Sequence, residues 1–176
     1  TSWHVPGYDP ALDPKSKPLE TSKQELVIQG KKYPCEVKTY ELTRGDDKLT
    51  AAYWHCKDAA VPYREVDGGP RSLAVRPDVL RVDVDYRGKG GAMKASIRVV
   101  NLREECKVGD RKVVGVREEG QIEMSEGEMK GRGAVAVLLS DDVPGREIEM
   151  TAVGEIGGAK VRRVRRVESF EVVKEK

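Results

Sequence analysis

The sequence predicts an all-β protein: a duplicated antiparallel β-meander, curved into a half-barrel or paired as a sandwich, behind an extended proline-rich N-terminal arm. Three observations predict it. Residues 78–87 alternate, with Val82 and Val84 on one side and Arg81, Asp83 and Asp85 on the other, which is the period of a half-buried strand. Turn clusters at Gly30-Lys31, Arg44-Gly45-Asp46-Asp47 and Gly88-Lys89-Gly90-Gly91 separate runs of strand length. The landmarks of the first half then return, in the same order, in the second.

Composition agrees. Of 176 residues, 38% are hydrophobic, 5% aromatic and 35% charged, a balance that suits sheets with one wetted face. Lys and Arg (32) nearly cancel Asp and Glu (30), so no bulk charge draws the chain to nucleic acid or to anionic lipid. No apolar run approaches the roughly 18 residues of a membrane helix, so no membrane span is expected. Thr1-Ser2-Trp3-His4 lacks the basic start and apolar core of a signal peptide. A start without Met is read as a mature chain whose leader has been removed.

The organisation expected is an arm over residues 1–24, a first meander over 25–103 and a second over 104–176, forming one continuous unit. In the arm, Pro6, Pro10, Pro14 and Pro18 recur among Asp, Lys and Ser, and each fixes φ and removes a donor. Trp3, Tyr8 and Leu12, with Val5, are the side chains by which the arm would attach to the body or to a neighbouring subunit.

The hairpin from Tyr33 to Cys56 fixes the most. If Gly45-Asp46 is a two-residue loop, Leu42 faces Leu49, Val37 faces Trp54 and Cys35 faces Cys56. Facing thiols at a non-hydrogen-bonded pair are close enough to bridge, and a slip of one residue would send them to opposite faces. Closing a loop of about 20 residues should stabilise by about 3 kcal/mol in the chain-entropy model. Cys106 is then left free, buried or intermolecular.

Further on, the strand over 78–87 should turn at Gly88–Gly91 and return as Lys94–Leu102. The best helix candidate, around 117–130, is opposed by Gly120 and Gly127. The closing run 159–173 should pair back onto the sheet. The repeat is read from Val27–Lys32 against Lys107–Lys112, and from Tyr53–Cys56 with Val61-Pro62 against Val137–Ser140 with Val143-Pro144. Ser140 then answers Cys56.

The order Gly30-Lys31, Tyr33, Cys35, Trp54 and Val61-Pro62 resembles a set of uncharacterised bacterial extracytoplasmic β-domains. Their pattern is a GK turn, a strand cysteine, a W-x-S strand and a V-P-G return. They are similar in shape to the half-barrels of the LolA-like lipoprotein-localisation superfamily. The resemblance covers residues 8–67 and, more faintly, 105–150, and departs at Cys56 and Tyr63. It implies an extracytoplasmic compartment and, in the LolA-like case, a concave apolar face for a lipid-like ligand.

Chemistry is sparse. A hydrolase needs a nucleophile, a base and an orienting group, and the only histidines are His4 in the arm and His55, the latter read as a surface strand residue facing away from Cys56. No spacing suits zinc or a calcium loop, so neither metal nor cofactor is expected. Gly88–Gly91 lies between strands and is a turn, not a phosphate loop. Arg44-Gly45-Asp46 is a hairpin tip that happens to spell an adhesion tripeptide. Arg162, Arg163, Arg165 and Arg166 form a basic contact patch without aromatic interleaving, read as a solvated strand face or a subunit contact. The expectation is a non-catalytic extracytoplasmic structural or accessory subunit. It would meet a protein partner or its own copies through the arm and strand edges. The alternative is a periplasmic carrier or sensor of a hydrophobic ligand.

Overall fold

The computed structural model describes residues 17–59 and 78–170. Nine strands follow one another: β1 (Glu20–Ile28), β2 (Lys31–Arg44), β3 (Asp47–His55), β4 (Val79–Gly88), β5 (Gly91–Val108), β6 (Arg111–Glu126), β7 (Met129–Leu139), β8 (Glu147–Ile156) and β9 (Ala159–Arg166). They form one antiparallel sheet in the order of the chain. It is an open meander, neither a closed barrel nor a two-sheet sandwich. The first strand begins at Glu20, inside the stretch expected to be arm. Residues 117–130 are strand and turn, as Gly120 and Gly127 imply.

The turns account for this topology. Gln29 and Gly30 take φ of 50° and 79° and close β1 onto β2 at the Ile28–Lys31 pair. Left-handed values at both positions match the twist of a hairpin. Gly45-Asp46 closes β2 onto β3 at Arg44–Asp47, so Leu42 faces Leu49 and Val37 faces Trp54. The predicted register holds. In β4, Val82 and Val84 are buried while Arg81, Asp83 and Asp85 are half-exposed, as their alternation requires.

The sheet is strongly curved. Strands lie about 4.8 Å apart, so β1 and β5 of a flat sheet would be about 19 Å from one another. Instead, Ile28 and Leu26 of β1 share a cluster with Val99 and Leu102 of β5, around Trp54, Leu80 and the two bridging cysteines. A second cluster gathers Tyr40, Tyr53, Val82 and Val84, with Tyr40 and Tyr53 edge to face at 5.8 Å. A third holds Val108, Val113, Leu138, Val143 and Ile148, with Cys106, Val167 and Phe170 packed against it.

The third cluster is the first one repeated. Ile28, Tyr33, Trp54, Leu80, Val99 and Leu102 correspond to Val108, Val113, Leu138, Ile148, Val167 and Phe170. The pairing registers agree. Val37–Trp54 is answered by Arg117–Leu138. A register shift between Trp54 and His55 is answered by one between Leu138 and Leu139. The Gly88–Gly91 closure is answered by Ile156–Ala159. One expected landmark moves: Val143 corresponds to Ala59, not to Val61. The turn bonds decide this, since Ala59 N–H donates to Cys56 C=O and Val143 N–H donates to Ser140 C=O. Val61-Pro62 lies outside the described residues.

The long β5 therefore serves both halves. Its N-terminal part, Gly91–Val99, is the counterpart of β9, and its C-terminal part, ending at Val108, is the counterpart of β1. The join shows as register shifts against β6 between Val99 and Glu104.

Candidate functional site

Cys35 and Cys56 form a disulfide, their Cα atoms 4.2 Å apart, the short spacing of a non-hydrogen-bonded cross-strand pair. Both residues are almost fully buried. The bridge is a staple at the centre of the first core. Cys106 is free and half-buried. Burial raises its thiol pKa, with the negative charge of Glu104 adding to the effect, so it is a poor nucleophile.

In the second half the bridged pair is replaced by Gly115 and Ser140. The Ser140 hydroxyl donates to the Val114 carbonyl at 2.6 Å. A Cβ at position 115 would stand 2.7 Å from the Leu139 carbonyl oxygen, so the backbones there are too close for a side chain.

His55 is not the surface residue expected. Its side chain is 11% exposed and Nδ1 lies 2.8 Å from Asp78 Oδ2. Nε2 is buried and has no hydrogen-bond partner among the described residues. The bulge beside it draws β4 against it, which alternation alone does not show. Cys56 is bridged and on the other face, so thiol and imidazole do not act together.

A polar strip on β4 and β5 escaped the sequence reading. Arg81 holds Asp83 through Nε at 3.0 Å and Nη2 at 2.8 Å, and its guanidinium stacks on Trp54 at 4.6 Å. The Ser96 hydroxyl donates to Asp83 at 2.6 Å. Arg81 and Ser96 line an open recess of about 510 Å³ that continues over Gln121, Ala134 and Thr151. Of its charged groups, Arg81 is held by Asp83, while Arg98 and Glu119 face one another across β5 and β6.

Two ionisable residues of β6 are informative. Arg117 of β6 reaches Glu104 of β5 through Nε at 2.7 Å and Glu149 of β8 at 3.8 Å. The hydrogen bond from Arg117 lowers the pKa of Glu104, and Arg117 is itself raised by the same contact. Its neighbour Glu118 is the reverse case. It is 1% exposed, flanked across the sheet by Val99 and Val137, and among the described residues neither carboxylate oxygen has a hydrogen-bond partner. Burial pushes its pKa up to about 7. Its position between charged neighbours in sequence gave no sign of this.

The edges of the sheet are the remaining candidate. β9 is exposed along its whole length and forms one outer edge. It carries Lys160, Arg162, Arg163, Arg165 and Arg166 without an acidic residue, with Val161 and Val164 about half exposed. Arg165 and Arg166 lean back on Glu147 and Glu149 of β8, and among the described residues no strand pairs with the outer side of β9. At the other edge, β1 covers β2 only as far as Thr39. Among the described residues nothing pairs with the outer side of Tyr40–Arg44. The arm residues Trp3, Tyr8 and Leu12 lie outside the described residues.

The expected turns at Gly88–Gly91 and Gly45-Asp46 are observed, and Lys89 and Asp46 at the two tips pair at 3.1 Å. Asp141 pairs with Arg146 at 3.0 Å within its own turn. Among the described residues no group of three or more His, Cys, Asp or Glu is placed to hold a metal ion, and no helix is long and apolar enough to cross a membrane. No protein-family model, curated protein or solved structure matches this chain.

Proposed function

We propose that this protein is a non-catalytic extracytoplasmic structural or accessory subunit that works by pairing its open sheet edges with other strands. The observation that carries the reading is β9: an outermost strand, exposed throughout, with half-exposed valines and a row of backbone donors and acceptors that nothing among the described residues pairs. Such a row is a template for strand addition. The compartment is supported by a disulfide in the core, a feature of oxidising environments. The N-terminal arm, with Trp3, Tyr8 and Leu12, belongs to the same reading as a second means of attachment.

The test is the composition of the native complex. The protein isolated under mild conditions should carry additional protein, and Val164→Pro, which removes a backbone donor from β9, should release it. A native protein that carries nothing would overturn the reading.

A carrier of a hydrophobic ligand is the second reading. It is favoured by a cavity of about 580 Å³ at the meeting of the two halves, lined by Tyr33, Ala59, Leu102 and Val114 together with Lys31, Asp58 and Arg103. Against it, Trp54, Leu80 and Val99 of the concave face are packed on one another. Native mass spectrometry without co-purified lipid would remove it.

A further inference from the structure

We infer that the partner of β9 is the open edge of β2 in a second copy of this chain, in the register that joins the two halves inside the molecule. The inference rests on the assembly reading above and adds to it the partner and the pairing.

The template is the junction between β5 and β6. Gly91–Val99 is the internal counterpart of β9, and its outer neighbour is the distal part of β6, through Lys94–Glu123, Ala95–Ile122, Ser96–Gln121 and Ile97–Gly120. That part of β6 is the counterpart of Tyr40–Arg44 in β2, the stretch whose outer side is open among the described residues. The molecule thus contains one copy of a contact whose two halves recur, separately, at its two edges. Carried over residue by residue, Arg162 faces Thr43, Arg163 faces Leu42, Val164 faces Glu41 and Arg165 faces Tyr40, antiparallel.

The ends of the strands fit this register. β1 makes its last bond to β2 from the Leu19 N–H to the Thr39 carbonyl, and among the described residues nothing covers β2 beyond it. β9 leaves the sheet after Val167, whose N–H bonds Ile148, and Phe170 settles on the third core beside Arg111. An incoming β9 therefore stops where β1 of the next copy starts, as the two parts of β5 meet near Val99.

Charge selects this pairing over the symmetric one. Two β9 strands set side by side would bring five basic residues against five, and like charges across a strand pair are unfavourable. Against β2, Arg162 and Arg166 lie diagonally on either side of Glu41. In the interior their counterparts Lys94 and Arg98 face Glu123 and Glu119. A contact between two different surfaces of one chain propagates head to tail.

The experiment uses the full chain with Cys106→Ser, so that added thiols are the only free ones. Arg163→Cys and Leu42→Cys, exposed and half-exposed, form a non-hydrogen-bonded pair in this register, close enough to bridge, and are purified separately, mixed and mildly oxidised. The expected result is a disulfide-linked dimer in the mixture, none with either variant alone, and none when Thr43→Cys, on the opposite face, replaces Leu42→Cys. A dimer from Arg163→Cys alone would mean symmetric β9 pairing, and absence of any cross-link would mean that the second copy is not the occupant. Cross-linking only after removal of residues 1–16 would mean that the arm holds the β2 edge. Each of these overturns the inference. Because the cross-linking needs only the purified chain, its failure leaves the proposed function standing wherever the native complex holds a different protein.

Discussion

Ser140 stands in the second half where Cys56 stands in the first, and each closes the same strand crossing in its own way. Cys56 crosses to Cys35 through a bond, while Ser140 hydrogen-bonds Val114 beside a glycine. Two fixings of one geometry give a paired prediction. Removing the bridge with Cys35→Ser and Cys56→Ser should cost about 3 kcal/mol, from the entropy regained by the unfolded chain. Gly115→Ala should cost about 1–3 kcal/mol for a different reason, the overpacking of a Cβ against the Leu139 carbonyl. Denaturant midpoints measure both. Reducing agent should lower the midpoint of the parent protein and leave the double serine variant unmoved.

Glu118 sets the alkaline side of stability. Its pKa is about 7 in the fold against an ordinary value near 4.5, so the folded chain keeps a proton that the unfolded chain releases. Stability contributed by the protonated acid is fully present below about pH 4.5 and is lost as pH rises through about 7, then levels off. The loss should be about 3 kcal/mol at most, at 1.36 kcal/mol per pH unit. In Glu118→Gln that slope should vanish, measured as unfolding free energy from pH 4.5 to 8. An unchanged slope would show that another group carries it.

Glu104 acts on the acid side. Its pKa is lowered by Arg117, so the stability it contributes is present above its unfolded pKa and lost as pH falls through the folded value. Arg117→Met should remove this acid sensitivity and cost no more than about 1 kcal/mol at pH 7, because the pair is partly exposed. The thermal midpoint at pH 3 to 5, variant against parent, is the measurement.

The parts of this fold legible in the sequence are those fixed by local chemistry. The Gly45-Asp46 turn sets the register of its hairpin, and the register sets the Cys35–Cys56 bridge; alternation in β4 gives its two faces. What could not be read depends on contacts distant in sequence. His55 is covered because a bulge shifts β4 beside it, and Glu118 is buried because Val99 and Val137 close over it. The repeat was visible at its turns, yet its alignment slipped at Val143, where a Val-Pro pair in both halves outweighed a hydrogen bond that only the structure displays. The merging of two repeat strands into β5 had no local sign, since a strand that serves two hairpins reads as one long strand.

The proposed function requires that the sheet edges be paired. The mass of the native protein isolated under mild conditions, with and without Val164→Pro, tests it. A parent well above the 19.5 kDa of one chain is expected, with a variant reduced toward that mass and its fold intact. A parent that stays at the mass of one chain with no bound protein, or an assembly that Val164→Pro leaves unchanged, would contradict it.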